Sequence, residues 1–346
     1  MPDSPLIVRS KAPLRLGLAG GGTDVSPYSD THGGAVLNAT IDMFSYTTLE
    51  PHSEQTVEFV AKDLQQSWRG TSRAPVHVAG ELLLHKAVHA RVCRQFLGGQ
   101  PLPLRVTTYS DAPPGSGLGT SSTMVVSILS AYAEYLNLPL GDYDLAHLAF
   151  DIERKDCALS GGKQDQYAAT FGGVNFMEFE GADKVIINPL RIKEPILNEL
   201  HARLLLYYTG QSRESAKIID EQIKAVNTEG SKSVESMHEL KRIAYEMKER
   251  LLKNDLDGVT QLFRDSWTAK KMMAKSITNS RIDEAAVLAM EAGARGVKVS
   301  GAGGGGFMMI FVDPPYKLDV QRALAATEGH FVRFNFTNHG VQSWAR

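Results

Sequence analysis

Pro113-Pro114-Gly115-Ser116-Gly117-Leu118-Gly119-Thr120-Ser121-Ser122 runs straight into an apolar helical pattern, Met124 to Leu136, and this junction decides how the chain is read. Glycines without Cβ let the backbone approach a ligand closely, and the free N–H groups and positive end of the following helix favour an anion there. Thr120, Ser121 and Ser122 add hydroxyls that could cap the helix or reach a phosphate-bound Mg²⁺. The stretch therefore reads as a phosphate cradle, with an ordinary capped helix as the plainer alternative. It is not a Walker A loop, because no Gly-Lys-Ser/Thr closes it.

The 346 residues have room for two ordinary domains. Lys+Arg total 37 and Asp+Glu 39, a formal charge of -2, so the overall balance points to neither nucleic acid nor an anionic membrane. Cys93 and Cys157 are the 2 cysteines, far apart and outside any Cys-x-x-Cys pattern, which argues against a disulfide scaffold and a zinc site. Met1 to Ala12 has no apolar signal core, and no later run approaches a membrane span. A cytoplasmic protein is expected. The residues leave the oligomeric state open.

Alternation predicts strands near Leu6–Leu18, Ala35–Glu50, Thr56–Val60, Leu104–Tyr109 and Val174–Phe179. Helical periodicity falls at Val76–Leu97, after the glycine loop, and at Tyr143–Lys155. A boundary is expected near 185–200, dividing the chain into 1–190 and 191–346. Beyond it come a strand at Leu204–Tyr208 and long helices with Met237, Leu240, Ala244, Met247 and Leu251 on one stripe. A helix (Ile282–Ala292), strand (Val297–Ser300), glycine turn, strand (Phe307–Val312), helix (Leu318–Ala326) and strand (Phe331–Phe336) follow, an order that suggests a ferredoxin-like sandwich. The class is α+β throughout.

Three further segments carry chemistry. Arg15-Leu16-Gly17-Leu18-Ala19-Gly20-Gly21-Gly22-Thr23-Asp24 runs from a strand into packed glycines, a hydroxyl and a carboxylate. Such a turn admits a polyol against the backbone while Asp24 accepts vicinal hydroxyls, or it is simply a tight turn with Asp24 as a cap. Asp151-Ile152-Glu153-Arg154 ends an amphipathic helix with Ile152 inward, so an acid there could hold Mg²⁺ or pair with a neighbouring base. Gly161-Gly162-Lys163-Gln164-Asp165 sets a carboxylate beside a cation, a pairing suited to accepting a hydroxyl proton while offsetting developing charge. Finally, Ser300-Gly301-Ala302-Gly303-Gly304-Gly305-Gly306 holds far more glycine than a hairpin needs, which fits close approach to a ligand or to the first domain.

Taken in order, these segments resemble the three motifs of the GHMP kinases, the superfamily of galactokinase, homoserine kinase, mevalonate kinase and phosphomevalonate kinase. The resemblance covers nearly the whole chain. The family's Pro-x-x-x-Gly-Leu-Gly-Ser-Ser-Ala is matched at Pro113 to Ser122, with Thr120 for the first Ser and Ser122 for the Ala; Gly-Ala-Gly-x-Gly-Gly is Gly301 to Gly306. The resemblance implies an N-terminal domain like ribosomal protein S5 domain 2 and a C-terminal ferredoxin-like domain, with ATP held by Pro114 to Ser121. It implies Mg²⁺ on Ser121 and Glu153, and Asp165 as catalytic base. Arg15 falls where galactokinases carry a catalytic arginine. Thr23-Asp24 match their sugar-gripping pair, but Gly21-Gly22 replace the preceding Glu-His, which argues against galactose.

The Arg-Leu-Gly-Leu-Ala-Gly-Gly-Gly-Thr-Asp form is similar to the branch that phosphorylates an anomeric hydroxyl, on D-glycero-α-D-manno-heptose 7-phosphate or on L-fucose. Chain length favours the heptose phosphate, because the bacterial fucose enzyme carries a further domain. Gly21, Gly22, Thr23 and Asp24, with Gly303 and Gly304, are then expected at the acceptor, and Lys11, Lys163 and Arg213 are candidate cations for its phosphate. Arg15 and Lys163 would offset charge as Asp165 takes the hydroxyl proton. The rivals are a free-sugar 1-kinase, a non-catalytic sugar or nucleotide sensor, and the decarboxylase branch, whose pocket these polyol-suited residues do not suggest.

Overall fold

A computed structural model describes residues 6–346 except 53–54, 182, 211–214 and 229–230. The chain runs β1 (Val8–Ala19), α1 (Tyr28–His32), β2 (Gly34–Pro51), β3 (Thr56–Ala61), β4 (Gln66–Thr71), α2 (Leu83–Phe96), β5 (Leu104–Ser110), α3 (Thr120–Leu136), α4 (Asp142–Asp151), α5 (Gln164–Phe171), β6 (Val174–Glu180) and β7 (Lys184–Pro189). It continues α6 (Glu194–Ala202), β8 (Leu204–Tyr208), α7 (Ser215–Thr228), α8 (Ser231–Leu252), α9 (Leu256–Lys271), α10 (Ser280–Glu291), β9 (Ala294–Val299), β10 (Phe307–Val312), α11 (Lys317–Leu324), β11 (His330–Val332) and β12 (Gln342–Ala345).

The first sheet has the order β12-β1-β2-β5-β3-β4. Its spine is β2, long enough to pair β1 along one side and both β5 and β6 along the other. The second sheet, β11-β8-β10-β9, is antiparallel throughout. Numbered by chain order its strands lie 4-1-3-2, with α7 to α10 between the first two strands and α11 between the last two, which is the ferredoxin-like arrangement.

Apolar alternation places each core. Leu14, Leu16 and Leu18 of β1 and Leu37, Ala39 and Ile41 of β2 meet Ile243 and Met247 of α8, Phe263 of α9, and Met309 and Phe311 of β10. The two sheets thus share one continuous apolar layer. The expected stripe on α8 is buried as read: Met237, Leu240, Ala244, Met247 and Leu251. A second core packs β3 and β5 under α2, α3 and α4 through Phe59, Val106, Val88, Ile128 and Leu148.

Several boundaries move. The helix expected from Val76 begins at Leu83, because Gly80 (φ 70°) and Leu82 (φ 52°) take left-handed turns before it. The strand expected over Phe331–Phe336 is regular only to Val332; Phe336 instead bridges Ile41, on the way to β12 beside β1. The last strand of the chain therefore completes the sheet that the first one opens. The helix expected over Tyr143–Lys155 changes pitch at Ile152 into one π-helical turn, Ile152–Asp156, closed by Cys157 N–H donating to Ile152 O at 2.9 Å.

Candidate active site

A cleft of about 530 Å³ opens where β1, the N-terminus of α3, the π turn and the start of α5 face α7, α9 and the glycine bridge after β9. Its floor is two glycine loops packed backbone to backbone. A methyl on Gly117 would stand 2.4 Å from Ser300 O, and one on Gly306 would stand 2.1 Å from Ser116 O. Phe307 N–H donates to Ser116 O at 2.8 Å, a backbone hydrogen bond across the junction. The density of glycine in 301–306 thus lets the second half of the chain seat directly on the 115–119 loop. Pro114, Gly115, Gly117, Gly119, Thr120, Ser121 and Ser122 line the cleft at the N-terminus of the 17-residue α3, with Ser121 exposed to it. Ser116 and Leu118 point inward. Ser116 Oγ meets Thr120 Oγ1 at 3.0 Å, and Leu118 carries its side chain into the core while its carbonyl accepts from Arg15 N–H at 3.1 Å.

Arg15, only 3% exposed, places its Nε and Nη2 each 2.8 Å from Asp165 Oδ1, and its Nη1 donates to Gly117 O. Both guanidinium contacts to Asp165 fall on one oxygen, which leaves Oδ2 toward Gly119 and the cleft. Glu153 hangs inward from the π turn, buried, with Gln166 Nε2 and Ser122 Oγ bonded to its carboxylate. Burial pushes its carboxyl above the ordinary value, more than Arg154 and those hydrogen bonds lower it. Among the described residues no group of three or more His, Cys, Asp or Glu is arranged to hold a metal.

On the other wall, Asp24 accepts from Gly22 N–H at 3.1 Å, Gln164 N–H at 3.0 Å and Gln164 Nε2 at 3.1 Å, which locks the 20–24 turn onto the start of α5. Gly162 is pressed against this carboxylate, since a Cβ there would lie 1.9 Å from Oδ2. Gly21, Gly22 and Asp24 line the cleft, whereas Thr23 does not: its buried hydroxyl lies 2.8 Å from Gly20 O and 3.0 Å from Ala35 N. The expected gripping threonine is a brace for the turn.

Other expectations are corrected in the same way. Lys163 is not beside Asp165 in space. It is 4% exposed, with Nζ 3.2 Å from Gly181 O and 3.9 Å from Asp30, because the residue before α5 projects away from the cleft. Lys11 lies over the Phe44 ring at 5.0 Å, far along β1. Gly303 and Gly304 pack on Ile277, where Gly304 N–H donates to Ile277 O at 2.7 Å; Gly301 and Ala302 face the cleft in their place. Arg213 lies outside the described residues.

The tertiary structure adds residues that motif reading missed. Arg154 donates to Leu159 O at 3.0 Å and Gly162 O at 3.2 Å, holding the rim loop. Gln222 of α7 donates to Ala302 O at 3.2 Å, and Ser160 bonds Asp220, so α7 is tied across the mouth. Lys270 of α9 enters from the second half with Nζ on Gly301 O and 3.4 Å from Gly21 O. Motif reading gave no signal for it, since it sits in the last turn of an amphipathic helix outside every glycine-rich segment.

Residues 83–173 match the model for the GHMP kinases N terminal domain, and 247–329 match GHMP kinases C terminal. The chain belongs to the GHMP kinases. It is 45% identical over 97% of its length, and 98% of the relative's, to the D-glycero-alpha-D-manno-heptose 7-phosphate kinase of Campylobacter jejuni. The crystal structure of a D-glycero-D-manno-heptose 1-phosphate kinase from Bacteroides thetaiotaomicron superposes with a TM-score of 0.82 at 44% identity, covering 97% of this chain and 98% of that one. The L-fucokinase/L-fucose-1-P guanylyltransferase of Bacteroides fragilis is 26% identical over 98% of this chain but only 38% of its own length.

Proposed function

We propose that the chain is a sugar 1-kinase that transfers the γ-phosphoryl group of ATP to the anomeric hydroxyl of D-glycero-α-D-manno-heptose 7-phosphate, giving the 1,7-bisphosphate. The observation that carries the reading is the Arg15–Asp165 pair, 2.8 Å apart, between the α3 glycine loop and the 20–24 turn. The Campylobacter relative, named for this acceptor, supports the sugar. Residues 1–190 would form the ATP- and sugar-binding domain and 191–346 the second, with β12 returned to the first sheet. With phosphorylated metabolites as both substrates, we assign the protein to the cytoplasm; among the described residues no helix is long and apolar enough to cross a membrane.

In this reading Asp165 accepts the proton of the attacking hydroxyl at Oδ2 while Arg15 holds Oδ1 and keeps the carboxylate oriented. The hydroxyl oxygen attacks the γ-phosphorus in line, the bond to the bridging oxygen breaks, and ADP leaves. The backbone N–H groups opening α3 receive the phosphates. Ser121 and Glu153 would hold Mg²⁺. Glu153 fits: it is a buried carboxylate raised by desolvation, and a divalent ion relieves that penalty. Magnesium is typically bound by one or two carboxylates plus substrate phosphates, so no larger acidic cluster is needed. When bound it neutralises phosphate charge.

Coupled ADP release with Mg-ATP tests the reading across heptose 7-phosphate, sedoheptulose 7-phosphate, L-fucose, galactose and no sugar. Turnover confined to the heptose phosphate, with new phosphate at C1, is the expected result. Turnover on L-fucose alone replaces it with a free-sugar kinase, and ligand-dependent stabilisation without ADP release replaces it with a sensor.

A further inference from the structure

The missing side chain of Gly21 leaves a notch in the acceptor wall of the cleft. A Cβ built there would stand 3.6 Å from Gln164 Nε2 and 3.7 Å from Lys270 Nζ, ordinary contact distances, and Gly21 lacks the left-handed φ that Gly20 and Gly22 take. Two donors, one cationic, therefore border the bare face of Gly21 where it lines the cleft. Gln164 Nε2 already bonds Asp24 Oδ1 at 3.1 Å, and among the described residues Lys270 Nζ bonds carbonyl oxygens, those of Gly301 and, at 3.4 Å, Gly21. Among the described residues Lys270 is thus a buried ammonium with no carboxylate bonded to it, although Asp24 and Asp165 lie within electrostatic reach.

We propose that this notch, between Lys270 and Gln164, is a subsite for a phosphate oxygen, and that Lys270 is the cation from the second half of the chain that reads it. The inference rests on the kinase reading above and deepens it. It also supplies what Lys163 and Lys11 do not, because neither reaches the cleft. Carbonyl partners carry no formal charge, and Asp24 and Asp165 offset the burial of Lys270 less than desolvation opposes it, so an arriving anion relieves a desolvation cost. That cost shows as an ammonium drawn down to about 8 by burial and by Arg15, against Asp24 and Asp165, which raise it. The Lys270 charge in turn helps lower the buried Lys298. Two sources share this chemistry: the phosphate the acceptor already carries, and the phosphoryl group in transfer.

The experiment compares wild type with Lys270→Met, Lys270→Arg and Gly21→Ala by calorimetry and by turnover. Calorimetry uses heptose 7-phosphate, the same sugar without phosphate, and inorganic tripolyphosphate. Lys270→Met should weaken at least one phosphate-bearing ligand by tenfold or more and leave the unphosphorylated sugar within threefold. Lys270→Arg should recover most of the loss. Gly21→Ala, which fills the notch without strained backbone, should reproduce it. In wild type the affinity should fall as pH rises through about 8, since Lys270 loses its charge there, and in Lys270→Arg it should not. Loss confined to heptose 7-phosphate, with KM raised for that acceptor, assigns the notch to the acceptor phosphate. Loss confined to tripolyphosphate, with kcat reduced, assigns it to the transferring group. If Lys270→Met and Gly21→Ala bind every phosphate-bearing ligand within threefold of wild type while remaining folded, the subsite is wrong. Because binding is read separately, wild type that binds phosphate through Lys270 yet turns over no sugar refutes the kinase reading and leaves the subsite standing.

Discussion

Gly306→Ala tests whether the glycine bridge exists to seat the second half of the chain on the 115–119 loop. The new methyl would lie 2.1 Å from Ser116 O and 2.4 Å from its carbonyl carbon, so the two loops must part by about 1 Å to reach ordinary contact. Three costs follow. The left-handed φ of 83° is unfavourable to a side chain by ~1–2 kcal/mol. Overpacking a close backbone contact costs about 1–3 kcal/mol. Parting the loops also weakens the Phe307 N–H bond to Ser116 O, 2.8 Å, which contributes about 1 kcal/mol. Together these destabilise by roughly 3–6 kcal/mol, or on the order of 10 °C in Tm for a chain of this size. Gly98→Ala is the control, with φ 60° and nothing within 4 Å of its built Cβ, so it carries the backbone cost alone. Thermal unfolding with and without a nucleotide analogue reads both effects. Gly306→Ala should lose most of the nucleotide-induced shift, because Gly117 and its contact to Arg15 move with the loop. Equal Tm losses in the two variants would refute the packing argument.

Further expectations follow from the same contacts. Asp165→Asn should lower kcat by a hundredfold or more with nucleotide affinity nearly unchanged; coupled assay and equilibrium binding decide it, and near-normal turnover removes Asp165 from the chemistry. His85 and His89 are buried and neutral, their pKa values lowered to about 4 by desolvation, with Thr108 and Tyr132 as partners. A histidine lowered in the folded state contributes stability above its unfolded value of about 6.5 that is lost as pH falls toward 4, on the order of 2 kcal/mol each at pH 5. Urea unfolding at pH 7 and pH 5 should show that drop, reduced in His85→Gln; an unchanged midpoint contradicts it. Arg154→Ala should leave Tm within a few degrees yet raise KM for the acceptor severalfold, as the 159–162 rim loses its two hydrogen bonds; an unaltered KM removes that role.

Much of the site was readable before folding because its features are local. A glycine loop leading into an apolar helix, a carboxylate after packed glycines, and the strand alternation of β1, β2 and β10 are short-range patterns, and each lies where the sequence places it. The same holds for the 4-1-3-2 sheet, whose element order is itself a sequence property.

Direction in space is different. Lys163 and Asp165 are two residues apart, yet only Asp165 faces the cleft, because α5 starts between them and rotates one side chain away from the other. Glu153 is buried on a turn that widens to π geometry, a change that periodicity does not encode. Lys270, Gln222 and Arg154 reach the site by contacts that close over the whole chain, Lys270 across 249 residues to Gly21. The sequence alone determined that the glycine-rich segments around 20–24, 115–121 and 160–165 would be special, and all three line the cleft, since backbone freedom, capping and amphipathic spacing are properties of neighbours. Which cation meets which carboxylate was left to tertiary packing, since it depends on side-chain direction and on the burial of charges that distant segments bring together.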